Sequence, residues 1–191
     1  LDELNRQQFL NKNRSITRLH PLYYSRIKNV ANNGGVRLVS AGKVKGEDVW
    51  EFEITSGTNR DTKYSVFVRF KNILELLEEY VPQRLYWKKD LSGLDYRKMA
   101  NIILHDSDLE TRCSCPADIY WGGQYIRTQR KAKYTDPENR PPVIRNPKQY
   151  GAYCKHTQLL MDVLPMYGGA MARYLATEYE KQIEKLERRA K

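Results

Sequence analysis

All three cysteines of the chain and one of its three histidines fall in two tight pairs, Cys-Ser-Cys at 113–115 and Cys-Lys-His at 154–156. One residue between two ligands lets both side chains reach the same ion where the backbone turns, and Pro116 favours a turn after the first pair. Three thiolates and one imidazole form a tetrahedral donor set that suits zinc. With no ligand position left for water, the predicted Zn2+ site is structural, and its ligands are Cys113, Cys115, Cys154 and His156.

Two other interpretations explain these residues less well. Buried cysteines that act only as small apolar side chains would account neither for the pairing nor for His156. A catalytic dyad of Cys154 and His156 would need the imidazole to reach the thiolate, whereas side chains two positions apart at a helix start point in different directions. We expect His20 and His105 to be ordinary surface or packing residues.

The two pairs are separated by residues 116–153, called the insertion below, which are rich in Pro, Arg and Tyr. Basic side chains neutralise phosphates and aromatic rings stack on bases, so the insertion fits a nucleic-acid surface. The same residue types form protein-interface hot spots. In a third interpretation the aromatic rings pack over a sheet and the charges face water. The candidate binding residues are Arg127, Arg130, Lys131, Lys133, Arg140, Arg145, Lys148, Tyr125 and Tyr134.

The strands that position these residues are predicted by alternating apolar and polar side chains. Residues 48–55 and 62–70 alternate in this way, and the polar, turn-rich link between them predicts an antiparallel hairpin. A shorter strand at 36–40 precedes them, and the link at 42–46 joins it to the strand at 48–55. Together these segments predict an antiparallel meander with one buried face.

Helical spacing of apolar residues follows at 73–80, where we expect Pro82 to end the helix, and again at 155–164. Residues 101–112 are expected to lead into the first cysteine pair through a strand. The Pro content of the insertion predicts an extended segment that lies against the sheet. A last helix at 170–189 is predicted to place on one side Met171, Leu175, Tyr179, Ile183 and Leu186.

These elements predict an α+β fold: a small antiparallel β-meander with a zinc site, a long loop insertion and C-terminal helices. The expected organisation is a basic N-terminal arm at 1–35, a β-sheet domain at 36–165 that contains the insertion, and a C-terminal helix at 166–191.

Composition limits the class of protein further. The 33 Lys and Arg residues exceed the 23 Asp and Glu residues, and the net charge of +10 favours acidic partners such as nucleic acid, an acidic protein face or anionic lipid. Three cysteines are too few, and odd in number, for a disulfide scaffold. No apolar run approaches the roughly 20 residues that span a bilayer, and no signal stretch opens the sequence, so neither a membrane partner nor secretion is expected.

The order Cys-x-Cys and then Cys-x-His, with a strand before the first pair and a helix after the second, resembles the SWIM zinc finger over about residues 109–165. The resemblance implies that zinc is bound by Cys113, Cys115, Cys154 and His156. The 38 residues between the pairs are more than is usual in that family, so the insertion is expected to have its own purpose. Four segments are similar to SWIM-type proteins of tailed bacteriophages: 113–123 (CSCPADIYWGG), 138–142 (ENRPP), 145–147 (RNP) and 154–156 (CKH).

The resemblance implies a structural component of a phage particle near the head–tail connector or tail. Such a protein would be assembled in the host cytoplasm into a symmetric multi-subunit virion, with other virion structural proteins as partners. The chain has no phosphate-binding glycine loop, no Gly-x-Ser-x-Gly elbow and no His-Glu-x-x-His motif, so we expect it not to be an enzyme. The alternative is a SWIM-type accessory protein that binds nucleic acid.

Overall fold

A computed structural model describes residues 4–19, 22–86, 91–151 and 153–190. His20, expected above to be a surface or packing residue, lies outside these ranges. The chain divides into two compact units, each built from two stretches of sequence. The sheet unit comprises Leu1–Lys71 and Asp108–Val163, and the helical unit comprises Asn72–Ser107 and Leu164–Lys191. This grouping differs from the sequence-based division at residues 35 and 165.

The sheet unit contains a four-stranded antiparallel sheet in the order β1-β2-β3-β4. Its strands are β1 (Val36–Val44), β2 (Glu47–Thr55), β3 (Lys63–Phe70) and β4 (Leu109–Cys113). The predicted hairpin is confirmed, with Trp50 opposite Val68, and the predicted meander forms its first three strands. On the other side of β3, Val66 lies opposite Cys113, so the sheet carries the first cysteine pair at its end.

Alternation along β2 and β3 buries one face of the sheet, as predicted. Trp50, Phe52 and Ile54 are inaccessible to solvent, as are Val66 and Val68 of β3. The face is covered by helices of the same unit: α1 (Arg6–Leu19) and α2 (Leu22–Asn32) pack against α7 (Lys155–Val163), and α7 contacts β1, β3 and β4. The strand pattern therefore sets the core on which the helix after the second ligand pair lies.

The predicted N-terminal arm at 1–35 contains α1 and α2, and two of its apolar side chains, Phe9 and Val30, are fully buried. The insertion begins with two short helices, α5 (Pro116–Tyr120) and α6 (Gly123–Gln129), so the prediction of an extended segment is wrong for its first part. Proline at the first position of a helix loses no hydrogen bond, which explains why Pro116 starts α5.

The helical unit contains α3 (Ile73–Leu85), α4 (Gly93–Asp106), a 3-10 turn at Leu164–Tyr167, α8 (Gly168–Glu178) and α9 (Glu180–Ala190). The prediction that Pro82 ends the helix is wrong, because Pro82 lies inside α3 and its carbonyl accepts a hydrogen bond from Tyr86 N at 3.1 Å. Proline removes only one hydrogen-bond donor, and buried Leu77 and Val81 hold the helix against its neighbours.

Two further predictions in this part of the sequence need correction. The strand expected within 101–112 is confined to β4, since α4 continues to Asp106. The last predicted helix is divided at Tyr179 into α8 and α9. Its predicted buried side is confirmed, because every member is buried: Met171, Leu175, Tyr179, Ile183 and Leu186.

The described part of the chain contains no helix that combines the length and the hydropathy needed to cross a bilayer.

Candidate metal centre

The first ligand pair lies where β4 ends and α5 begins. Cys113 is the last residue of β4, and Cys115 is the extended residue that caps α5. The turn between them is held on β3, because Ser114 N donates to Ser65 O and Ser65 N donates to Ser114 Oγ, both at 3.0 Å. These two hydrogen bonds keep the intervening residue on the sheet while both cysteine side chains are buried.

The second ligand pair lies at the start of α7. Cys154 precedes the helix, and its carbonyl accepts the first helical hydrogen bond from Gln158 N at 3.0 Å. His156 is in the first turn, with its ring packed against the ring of Tyr64 of β3 at a centroid separation of 4.7 Å. Because α7 lies on the sheet, its first turn reaches the end of β4.

The structure brings all four predicted ligands together. One donor atom from each of Cys113, Cys115, Cys154 and His156 lies within 4.8 Å of the others, and all four residues are buried. The Sγ atoms of Cys113 and Cys154 are each 3.9 Å from His156 Nδ1. All three cysteines are free thiols. The predicted cluster is therefore a compact group with three sulfurs and one nitrogen, and it can bind a metal ion.

The spacing of the donor atoms fits a tetrahedral ion. Bonds of about 2.3 Å to sulfur and about 2.0 Å to nitrogen place neighbouring ligand atoms roughly 3.5–3.8 Å apart. The separations of 3.9 Å at His156 Nδ1 are close to that range. The other ring nitrogen, Nε2, is buried and has no hydrogen-bond partner among the described residues. The imidazole thus directs Nδ1 towards the sulfurs, where a metal ion would bind, whereas Nε2 points away from them and would need a different partner.

The thiols influence one another because they are buried together. Burial, followed by hydrogen bonds with Cys115 and Cys154, raises the pKa of Cys113 well above its ordinary value. Hydrogen bonds from Cys113 and Cys154 lower the pKa of Cys115 to about 4. The cluster thus favours a negative charge on Cys115 over one on Cys113. A bound dication supplies the positive charge that three thiolates need together.

Arg127 requires a correction, because it was predicted as part of a binding surface and is fully buried. Its guanidinium forms a bidentate ion pair with Asp118, at 2.9 and 2.6 Å, and Asp118 Oδ2 also accepts a hydrogen bond from Cys113 N at 3.2 Å. Burial alone would lower the pKa of Arg127, but the carboxylate of Asp118 outweighs it and raises that pKa. Arg127 and Asp118 therefore belong to the surroundings of the metal site. Their spacing along the sequence carried no signal of this pairing.

The rest of the insertion is fixed at several points. Ala132 O accepts a hydrogen bond from Thr111 N of β4 at 2.9 Å, and the insertion runs parallel to β4 there. Further along, the side chain of Asn146 donates to Trp121 O at 3.1 Å and to Tyr150 O at 2.9 Å. Gly122 lies directly against the ring of Pro142. The insertion is thus laid on the sheet unit as predicted, although it is not extended throughout.

The other predicted binding residues vary in exposure. Lys131, Arg140, Arg145 and Lys148 are exposed, and Tyr125, Arg130, Lys133 and Tyr134 are half-buried. The ring of Tyr134 packs near Phe67 of β3, with centroids 6.0 Å apart. Arg140 is engaged in a bidentate ion pair with Glu138 on the surface. The packing of Tyr134 on the sheet together with these exposed cations is the arrangement of the third interpretation, in which aromatic rings pack over the sheet and charges face water.

Sequence reasoning missed exposed aliphatic side chains on the insertion. Val143 and Ile144 are 69% and 89% exposed, and Ile119 and Tyr120 of α5 are also exposed. The contact between Gly122 and Pro142 brings these two segments side by side. We call this region the insertion face; it comprises Ile119, Tyr120, Val143, Ile144, Arg145 and Lys148. The signal in the sequence was the Val-Ile pair inside an otherwise polar stretch.

No protein-family model, curated protein or solved structure matches the chain.

Proposed function

We propose that this chain is a zinc-stabilised, non-enzymatic assembly module in which one structural Zn2+ fixes the insertion as a docking surface. One observation carries the proposal: four donor atoms from two distant segments meet in a buried cluster, three of them sulfur. Sulfur-rich tetrahedral sites favour zinc over harder cations such as Mg2+ and Ca2+. With four protein ligands the ion has no open position, which supports a structural role.

The free energy of zinc binding is large enough for this role. Structural zinc contributes about 10–16 kcal/mol in small zinc modules, whereas the entropic cost of closing a loop grows slowly with its length. One ion bound between β4 and α7 therefore holds both ends of residues 116–153. In this proposal the role of the metal is to order the insertion, and this in turn orders the exposed side chains that the insertion carries.

The insertion face favours a protein partner over nucleic acid. Exposed aliphatic side chains such as Val143 and Ile144 offer no ring for base stacking and no charge for phosphates. They do suit the buried centre of a protein interface, and Arg145 and Lys148 beside them suit an acidic rim. The partner that fits is a protein surface with apolar residues surrounded by carboxylates.

The resemblance to SWIM-type proteins of tailed bacteriophages supports placing the chain among virion structural proteins. In this proposal it lies near the head–tail connector or the tail, in a symmetric assembly. The nucleic-acid-binding accessory protein is the competing function, and the exposed cations of the insertion are the observation in its favour.

Metal content tests the first part of the proposal. We expect the purified, reduced chain to hold one zinc ion per molecule by native mass spectrometry, and His156→Ala to lose most of it. His105→Ala is the matched control, because His105 is exposed and lies in the helical unit. A reduced wild-type chain without zinc, or a His156→Ala variant that retains it fully, would refute the site.

Binding assays test the second part. If the chain is an assembly module, we expect it in stoichiometric amounts in purified phage particles. Ile144→Asp should reduce its incorporation into them. Labelled duplex DNA provides the comparison by fluorescence anisotropy. Tight binding that weakens steeply with salt and is unaffected by Ile144→Asp would favour the nucleic-acid function instead.

A further inference from the structure

We infer that the buried ion pair of Asp118 and Arg127 is a positioning device that couples the metal site to the insertion. This inference rests on the proposed binding of zinc. Both side chains are fully buried, and their two hydrogen bonds measure 2.6 and 2.9 Å. The pair lies directly beside the first ligand, because Asp118 Oδ2 accepts the hydrogen bond of Cys113 N at 3.2 Å.

The bond to the Cys113 amide orients the ligand loop. A carboxylate that accepts a backbone N–H fixes the peptide plane at the point where β4 leaves the sheet. The same turn is closed by Asp118 N, which donates to Cys115 O at 3.0 Å. Asp118 therefore holds both ends of the Cys113–Cys115 turn, once through its side chain and once through its backbone.

Arg127 balances the charge that accumulates here. Three thiolates around a dication leave one negative charge in excess, and the carboxylate of Asp118 adds another in the same dry region. A single guanidinium beside Asp118 offsets part of this repulsion. Without it, Asp118 would be an unpaired buried anion next to an anionic metal site, which is strongly unfavourable.

The backbone of the same arginine is connected to a later part of the insertion and, through it, to the sheet. Arg127 O accepts a hydrogen bond from Ala132 N at 2.9 Å, and Ala132 O in turn accepts one from Thr111 N of β4 at 2.9 Å. Gly123, at the start of α6, packs so closely that an added Cβ would lie 3.2 Å from Asp118 Oδ1. The ion pair thus lies at the junction of the ligand loop, α6 and the segment that returns to the sheet.

Net stability does not by itself explain such a pair, since buried ion pairs are often no more stabilising than apolar side chains of similar size. A positioning role predicts a more specific effect. Replacing the pair should change the affinity and the geometry with which the three thiols and His156 bind a metal, even when the sheet unit remains folded.

Arg127→Met is the primary test, and Arg84→Met is its matched control. Arg84 also pairs with a fully buried aspartate, Asp95, at 2.7 Å, but within the helical unit. We expect Arg127→Met to weaken Zn2+ binding about 10- to 100-fold in competition with a chromophoric chelator. The Arg84→Met variant should bind Zn2+ as the wild type does.

Two further measurements separate positioning from folding. The absorption spectrum of the Co2+-loaded protein reports the tetrahedral geometry of the site, and hydrogen exchange reports protection of residues 123–134. We expect Arg127→Met to alter the spectrum and to lower this protection. If that variant does not fold, the apolar double variant Asp118→Leu/Arg127→Met keeps the packing and removes both charges. It should then fold with weakened Zn2+ binding.

The outcomes distinguish this inference from the proposed function. A wild-type chain that binds neither Zn2+ nor Co2+ refutes the metal site and the inference together. A wild-type chain that binds both, with an Arg127→Met or double variant of equal affinity and identical spectrum, leaves the zinc module intact and overturns the positioning role alone.

Discussion

At the scale of single residues, the three thiols of the cluster are chemically alike but differ in how readily they lose a proton. Cys115 carries a lowered pKa of about 4 because its neighbours donate hydrogen bonds to it, whereas burial raises the pKa of Cys113. His156 directs Nδ1 towards two sulfurs, its Nε2 is buried, and its ring packs against the ring of Tyr64. A metal-free cluster therefore holds at least one proton that a metal must displace.

That proton predicts how zinc binding depends on pH. A thiol with a raised pKa stays protonated at neutral pH, so Zn2+ must displace the Cys113 proton and its affinity must fall as the pH falls. For one displaced proton the change is about tenfold per pH unit. Competition titrations at mildly acidic, neutral and mildly alkaline pH measure this slope.

The control for the pH experiment is His105→Ala, which removes an exposed imidazole and leaves the cluster unchanged. Its slope should match that of the wild type. An affinity that is constant across this pH range would show that the thiols are already deprotonated without metal, in conflict with the raised pKa of Cys113.

At the scale of elements, the insertion depends on close backbone approaches. Gly122 has a φ of +79°, and a Cβ there would lie 2.2 Å from Pro142 Cγ. Gly46, in the β1–β2 turn, has a φ of +85° and nothing within 4 Å of an added Cβ. The two glycines share the left-handed conformation and differ in whether another segment packs against them.

Alanine at these two positions isolates the packing of the insertion. Both variants acquire the strain of a left-handed alanine, and Gly122→Ala additionally forces Pro142 away from α5. We expect Gly122→Ala to lose roughly 1–3 kcal/mol more than Gly46→Ala, by analogy with overpacked cores. Chemical denaturation measures the difference, and limited proteolysis should cut Gly122→Ala first within residues 130–150. Equal losses in both variants would contradict this packing role.

A second prediction at this scale concerns Pro82 and the stability of α3. It lies exposed inside α3, where it removes the hydrogen bond that its own amide would donate. Pro82→Ala should restore that donor and stabilise the chain by about 1 kcal/mol, since the gain in helix propensity is partly offset by a more flexible unfolded chain. Thermal unfolding tests this, with Gln83→Ala as the control on the same exposed turn. A lower stability in Pro82→Ala would mean that the proline ring makes contacts that outweigh the missing bond.

Much of the sheet and the metal cluster was predictable from local patterns. Alternation predicted the faces of β2 and β3, and the paired spacing of four rare side chains predicted the cluster that the structure brings together. The burial of Arg127 was not predictable, because an arginine in a basic, aromatic stretch has the pattern of a surface residue. Only the approach of Asp118, across the turn between α5 and α6, makes its burial favourable.

Long-range packing also explains the mistaken helix boundaries. Local rules end a helix at Pro82, yet Ile73, Leu77 and Val81 form one buried side up to the proline, and half-buried Leu85 continues it afterwards. The division between α8 and α9 at Tyr179 leaves the apolar side intact, because Leu175 and Ile183 are buried on either side of the break and Tyr179 is buried at it. Periodicity therefore identified which residues are buried more reliably than where each helix starts and stops.

At the scale of the whole molecule, the proposed ion has a local effect, because all of its ligands belong to the sheet unit. Cys113 and Cys115 lie at the end of β4 and just after it, and Cys154 and His156 lie just before and within the first turn of α7, so the ion would close the loop formed by the insertion. The hydrophobic face of β2 and β3 is buried by apolar side chains, and we expect this burial to persist without the metal. We therefore expect chelation of the metal to loosen the insertion and the start of α7 and to leave β2 and β3 folded.

Hydrogen exchange of the reduced protein, with and without a strong zinc chelator, tests this expectation. Chelation should remove protection from residues 116–153 and from the first turn of α7, while β2 and β3 stay protected because Trp50, Phe52 and Val68 remain packed. Helices α3, α4 and α8 contain no ligand and should exchange at unchanged rates. A cobalt-reconstituted sample serves as the control and should recover the protection of the insertion. If the strands lose protection together with the insertion, the metal stabilises the whole sheet unit and the insertion is not a separately ordered surface.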